Sequence, residues 1–392
     1  MSQRVIEWDR QRLILAEGTQ QGGRVVLSQL QVIPRESDEQ DSHALIEQLK
    51  PWFANASEKS LEDAVVVVPR QAITIQRVQL PNLPDPELPD IVRMQAAMRL
   101  TVPIESVFMD FVPLTPFGAG ETREMLIVTA PGELVQQIRN VLKRVHVNLS
   151  QILVSPFCIA TSLRNSGQVQ AAAPGTTDIL AVLRRDFIEL TFVQDNAVVY
   201  SHSGSSWSGS DGIEKTIRAE LSKARLAAAS ALGSHQIGRL LLIGDPSVTS
   251  AISDSVAQRL DGAVIVRIDP SQSLFQATVP DEMSTAGVVT VAGAIASLTT
   301  KHADSIDLIN PRKAPEKVDR RRVKILAGVL AGIVVIGGLW QWRSSQIQKY
   351  ERQAAILKAE ADEMNEVLRS EQGDRELTAA ESKKKKKNRD LD

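Results

Sequence analysis

The sequence predicts an α/β protein built as two lobes, followed by one transmembrane helix and a short coiled coil. Three observations carry this. Apolar runs of β character alternate with helical periods in two successive halves. Ile325–Trp340, ILAGVLAGIVVIGGLW, is an unbroken apolar stretch close to the roughly 20 residues a helix needs to cross a bilayer. Beyond it Ile347, Tyr350, Ala354, Leu357, Ala361, Met364 and Leu368 recur at spacings of three and four, a heptad seam.

Composition narrows the class. Lys and Arg number 45 against 47 Asp and Glu, so no charge excess points to nucleic acid. Cys158, in ILVSPFCIA, is the single cysteine. No intrachain disulfide can form, which suits a reducing compartment for the large domain, and the thiol reads as a small buried hydrophobe. MSQRVIEWDRQ lacks a secretory pattern, so the internal apolar helix is expected to serve as insertion signal and anchor together.

Taken in order, Val5–Trp8, Leu13–Ala16 and Arg24–Ile33 read as strands, the last two joined by the turn-rich Gly18–Gly23. Ser37–Ser42 is a polar loop. His43–Trp52 sets Leu45, Ile46, Leu49 and Trp52 on one side of a helix whose last turn Pro51 interrupts. Ala64–Val68 is a continuous apolar strand of the doubly covered kind, ended by Pro69. Ala72–Leu80 alternates as a strand with a slip of one residue. Prolines at 81, 84, 86 and 89 delay a helix until about Asp90; it runs to Leu100 and Pro103 stops it. Glu105–Leu114 and Met125–Thr129 are strands. Gly132–Val145 is a helix with Leu134, Ile138 and Leu142 on one face, and His146 follows it.

The small-residue stretch Ala171–Thr177 separates the halves and places the lobes at about 1–170 and 175–300. Asp178–Leu183 and Ile188–Val193 read as paired strands, with Val198 and Val199 leading into a third. Ser201–Gly212 is a solvated Gly/Ser loop that lacks the spacing of a phosphate loop or a nucleophile elbow. Ile213–Leu232 is a long helix, Leu240–Ile243 and Val264–Ile268 are strands, and Val288–Leu298 is a small-residue helix fit for close packing.

Residues 301–323 form a polar connector that includes DLINPRKAPEK, Asp307–Lys317. The transmembrane helix is placed at 324–342. Arg320, Arg321, Arg322 and Lys324 crowd its amino side, and Trp340 and Trp342 mark the other interface, which puts the large domain in the cytoplasm. Gly328 and Gly332 give a GxxxG spacing. The coiled coil spans 343–371. Nothing in its own chain buries the seam, so a homodimer or heterodimer is expected. Residues 372–392, with Lys383–Lys387, are expected to be a disordered basic tail. Histidines at 43, 146, 202, 235 and 302 show no metal spacing, and nothing recommends an enzyme over a scaffold.

Val65–Leu114, VVVVPRQAITIQRVQLPNLPDPELPDIVRMQAAMRLTVPIESVFMDFVPL, resembles the PilM/GspL family of type IV pilus and type II secretion assembly proteins. In that family a strand and turn lead to an LP pair, a helix ends at a proline, and a D-[YF] strand follows, here Asp110-Phe111. The resemblance covers about residues 5–300 and implies a two-lobed actin-like (ribonuclease H-like) fold. Ile306–Arg312, IDLINPR, resembles the amino-terminal INLLP segment of PilN, the membrane partner that PilM grips. It implies that Ile306, Leu308, Ile309, Asn310 and Pro311 bind a partner. The whole resembles a PilM-like domain fused to the start of a PilN-like anchor, the GspL layout, with the external globular domain of such anchors expected to be missing after the seam.

Nucleotide-binding members begin their phosphate loops D-x-G. Here the matching loops read Glu7-Trp8-Asp9 and Val182-Leu183-Arg184, and of an adenosine-side G-G-G only Gly244 remains. The resemblance thus implies neither ATP nor magnesium, but a non-catalytic inner-membrane scaffold coupling a cytosolic assembly ATPase to components across the membrane. The alternatives are an actin-like ATPase using Glu7, Asp9 and Gly244, and a membrane-tethered adaptor unrelated to pili.

Overall fold

The computed structural model describes residues 2–35, 42–54, 62–167, 173, 175–184, 187–207, 210–233, 235–260, 262–279, 283, 285–299, 305–314 and 320–389. Most of the expected loop Ser37–Ser42, and residues 171, 172 and 174 of the linker Ala171–Thr177, lie outside these. The chain divides into two units, Met1–Pro315 and Glu316–Asp392.

The first unit opens with a meander of β1 (Gln3–Trp8), β2 (Arg12–Gln21) and β3 (Arg24–Pro34). Gly22 and Gly23 both hold positive φ in the β2–β3 turn, a conformation that costs a residue with a Cβ. α1 (Ser42–Leu49) leads to β4 (Glu62–Val68), whose Ala64–Val68 run is buried throughout, as expected for a strand covered on both faces. β5 (Thr74–Pro81) starts later than its alternation suggests, because Arg70–Ala72 forms a 3-10 turn. α2 (Leu88–Arg99) admits Pro89 in its first turn, where no backbone N–H is required, so the helix begins ahead of Asp90. β6 (Val107–Pro113) and β7 (Thr122–Pro131) join β5 in a three-stranded sheet ordered β5-β7-β6. With α2 this sheet encloses a separate small core containing Val78, Leu88, Val92, Phe111 and Ile127.

α3 (Gly132–Arg144) buries Val135, Ile138, Val141 and Leu142 on one face. His146 then adopts φ 57° as the chain turns into β8 (Val147–Val154), and α4 (Ser155–Ser166) follows directly. Periodicity does not reveal these last two elements. β8 is only half buried at its start, and α4 is buried on all sides, so neither shows an amphipathic stripe.

The second sheet comprises β9 (Thr176–Leu183), β10 (Ile188–Gln194), β11 (Ala197–Ser203), β12 (Gln236–Ile243) and β13 (Val264–Ile268), ordered β11-β10-β9-β12-β13. α5 (Ser210–Leu232) runs before β12, and α6 (Pro246–Thr249) and α7 (Pro270–Ser273) are single turns. The second lobe does not extend to residue 300. β14 (Phe275–Gln276) pairs with β3, and α8 (Thr285–Thr299) packs on β1 and β2, giving the first sheet the order β14-β3-β2-β1-β4-β8. α8 is apolar on every side because α4 covers the face the sheet does not. Gly293 permits this crossing, since a Cβ there would collide with the Cys158 carbonyl oxygen.

The second unit is one helix, α9 (Arg320–Arg389). It continues through 372–389, where composition suggests a disordered tail; RELTAAES, Arg375–Ser382, is rich in good helix formers. Among the described residues no helix is long and apolar enough to cross a membrane. The expected span begins at 324, and the side chains of 324–327 lie outside the described set.

Candidate functional site

Two features of the first unit stand out chemically: a buried group of charges between the lobes, and the connector lying against the domain that precedes it. The first begins with an anomaly in the sequence. Glu7 and Glu189 sit in otherwise apolar strands, β1 and β10, and both are fully buried. Burying a lone carboxylate is costly, so each requires a partner. Arg184, immediately after β9, supplies one: its Nη1 lies 2.5 Å from Glu7 Oε1 and donates to Thr290 Oγ1 of α8 at 3.2 Å. Its guanidinium carbon stands 4.9 Å from the centre of the Phe187 ring. Ser155 Oγ, at the start of α4, donates to Glu189 Oε2 at 2.7 Å.

A second arginine crosses the same boundary. Arg70, in the 3-10 turn after β4, donates through Nε at 3.1 Å and Nη2 at 2.9 Å to the Ser201 carbonyl oxygen of β11. Its Nη1 donates to the Ile73 carbonyl at 2.8 Å. Burial raises the Glu7 pKa against the pull of Arg184. Burial also pushes Glu189 up to about 7, with the Ser155 hydrogen bond and the charges of Arg184 and Arg70 holding it back. Burial alone would lower the Arg184 pKa, but Glu7, with Asp9 and Glu189 further off, reverses that and keeps the guanidinium charged.

Of the five positions singled out as relics of nucleotide loops, the fold brings Glu7 and Arg184 into contact. Asp9 lies close by; its carboxylate accepts from the Gln11 N–H at 3.0 Å and from Gln71 Nε2 at 3.1 Å. Val182 is a core side chain. Gly244 follows β12, where an added Cβ would stand 3.2 Å from the Leu183 carbonyl oxygen, so its role there is close packing. Sequence reasoning missed Arg70, Ser155, Glu189 and Thr290. Only Glu189 left a sign, as the single charge in IELTFV. Among the described residues no group of His, Cys, Asp or Glu side chains is arranged to hold a metal ion.

The second feature is the segment 305–314. The connector expected to be a polar spacer is packed here. Ile306 and Leu308 are buried in the main core, and Ile309 packs against it. The Leu308 N–H donates to the Ile152 carbonyl of β8 at 2.9 Å, and the Ile152 N–H donates back to Asp307 Oδ1 at 3.2 Å. Asn310 Nδ2 donates to the Ser150 carbonyl at 2.9 Å. Asp110 of β6, buried to 3% exposure, takes the rest of the load. It accepts from the Asp307 N–H at 3.1 Å, the Arg312 N–H at 3.0 Å and Arg312 Nη1 at 2.9 Å. Arg312 also lies over the ring of Phe111, 5.8 Å from its centre. The Asp-Phe pair that carried the sequence resemblance is thus what holds the segment. Pro311 is partly buried.

No protein-family model matches the chain, and no curated protein matches it. Solved structures bear on the fold alone, and it is one shared with a pilus biogenesis protein. The particular likeness is to a PilM–PilN type IV pilus biogenesis complex. It spans 75% of this chain and 96% of the matched one at 17% identity, with a TM-score of 0.52. Lower similarity relates the chain to the cytoplasmic domain of EpsL, an inner-membrane component of the type II secretion system of Vibrio cholerae. There the identity is 10%, the coverage 79% and 98%, and the TM-score 0.44. A Bacteroides thetaiotaomicron protein with an actin-like ATPase fold matches at 11% identity over 68% and 90%, with a TM-score of 0.37.

Proposed function

We propose that this chain is a non-catalytic scaffold of a type IV pilus or type II secretion platform, anchored in the inner membrane with its large domain in the cytoplasm. The observation that carries the reading is the docked segment Ile306–Arg312. PilM has been solved together with PilN; here the stretch that resembles the gripped segment lies on the gripping domain within one chain. Whatever binds the domain is thereby linked covalently, through a held connector, to α9. The cytosolic partner in this reading is an assembly ATPase.

Two further facts support it. Residues 328–342 of α9 present a contiguous apolar surface, with Val334 73% and Trp340 76% exposed in the chain by itself. Water tolerates such a surface poorly and a bilayer accepts it. The interlobe centre, in turn, is a poor match for a magnesium nucleotide. A metal needs carboxylates free of a competing cation, and phosphates need glycine-backed amides. Glu7 is paired with Arg184 instead, and Asp9 stands where the D-x-G pattern has its glycine. No catalytic step is assigned to these residues.

The test uses the full chain expressed in a diderm bacterium. It is expected in the inner-membrane fraction after an alkaline wash, with a reporter fused after residue 392 exported. Titration of magnesium ATP into the purified chain is expected to release no binding heat. Recovery in the soluble fraction would remove the anchor, and micromolar ATP binding would restore an ATPase.

A further inference from the structure

Actin-like folds place two lobes around a central cleft, and here that boundary is sealed by charge. Arg184, just after β9, contacts Glu7 on β1 and Thr290 on α8, and it acts electrostatically on Glu189 of β10, which Ser155 of α4 holds by a hydrogen bond. Glu7, Asp9 and Glu189 all act on the guanidinium electrostatically. Nε and Nη2 of Arg184 find no hydrogen-bond acceptor among the described residues. Charge compensation and the stack on Phe187, rather than a full set of directed bonds, therefore hold this side chain. A buried ion pair adds little net stability by itself, since desolvation offsets attraction. Removing one partner is different, because the remaining buried charge must then be neutralised or hydrated.

We propose that Arg184 is a built-in counter-ion whose guanidinium keeps the two lobes closed on their buried carboxylates, so that the domain stays in one conformation with no bound cation or nucleotide. This is a property of the domain alone. It stands or falls independently of whether the chain serves a pilus or secretion platform.

The experiment measures the distance between spin labels at Ser28→Cys in the first lobe and Ala227→Cys in the second, both exposed positions, in the full chain. Cys158 is buried and burial pushes its thiol pKa up, so it does not compete for label. The otherwise wild-type chain is expected to give one narrow distance that magnesium ATP leaves unchanged. Arg184→Lys, which keeps the charge, is expected to retain it. Arg184→Gln is expected to broaden or lengthen the distribution, and millimolar methylguanidinium, entering the vacated position, to narrow it again without affecting the wild type. An Arg184→Gln distribution identical to wild type overturns the proposal, as does a second wild-type distance that magnesium ATP collapses. If Arg184→Gln does not fold by itself, recovery of the narrow distance on refolding with methylguanidinium supports the proposal, and failure to recover it overturns it.

Discussion

Glu189 shows how one buried side chain sets a pH dependence for the domain. Its pKa of about 7 when folded lies above the ordinary carboxylate value of about 4.3. The folded state therefore holds the extra proton between those values. The stabilising effect is complete below about pH 4.3 and is lost as pH rises through 7. The groups facing it are Arg184, Arg70, Glu7 and Ser155. Glu189→Gln, which still accepts the Ser155 hydrogen bond, removes this titration. Denaturant unfolding at pH 5 and pH 8 is expected to show the wild type losing roughly 2–3 kcal/mol relative to the variant across that window. Parallel pH profiles would remove the carboxylate from consideration. Asp110 admits an equally local test. Asp110→Asn keeps the shape but faces the three donors of the docked segment without charge, at a cost of about 2 kcal/mol. The Leu308 and Arg312 amides are then expected to exchange with deuterium roughly 30-fold faster, with amides in β9 unaffected.

At the scale of elements, the crossing of α4 and α8 governs how the layers stack. Ala is ordinarily a better helix residue than Gly by about 1 kcal/mol. At position 293 the sign reverses, because the added methyl collides with backbone, which cannot rotate aside as a side chain can. Gly293→Ala is expected to destabilise the domain by about 2–3 kcal/mol in equilibrium unfolding; a neutral result would mean the helices can slide apart. The same pair marks the limit of what could be read from sequence. Strands with β-type runs, such as Ala64–Val68, and helices with one apolar face, such as α3, were legible because burial imposes a period. A helix buried all round imposes none, so the sequence marks neither α4 nor the destination of α8. The Asp110–Arg312 pair joins residues 202 apart in sequence. Only the Asp-Phe and IDLINPR resemblance, not spacing or composition, hinted that the two ends belong together. The interlobe ion pair left no sign beyond two acidic residues in apolar strands, since the partner of each is set by topology.

At the scale of the whole molecule, α9 carries an apolar seam that is exposed among the described residues. Tyr350, Leu357, Met364 and Leu368 are all exposed. Four large apolar side chains at heptad spacing are expected to draw in a second helix. Sedimentation of the full chain in detergent should therefore give a dimer or a complex with a partner helix, and Leu357→Asp with Met364→Asp should give a monomer. A monomeric wild type would mean that the second helix is supplied by another protein. The docked connector adds a consequence of a different kind. A segment tethered to its own groove acts at an effective concentration in the millimolar range for a short linker. A soluble peptide of the same sequence must exceed that value before it displaces the resident copy, so the groove is in practice deaf to competitors in solution. Tension along the chain is not subject to that advantage, because it acts on the tether itself. Grip and tether are also made in a fixed one-to-one ratio with every copy translated, a stoichiometry that two separate proteins must instead reach by mass action.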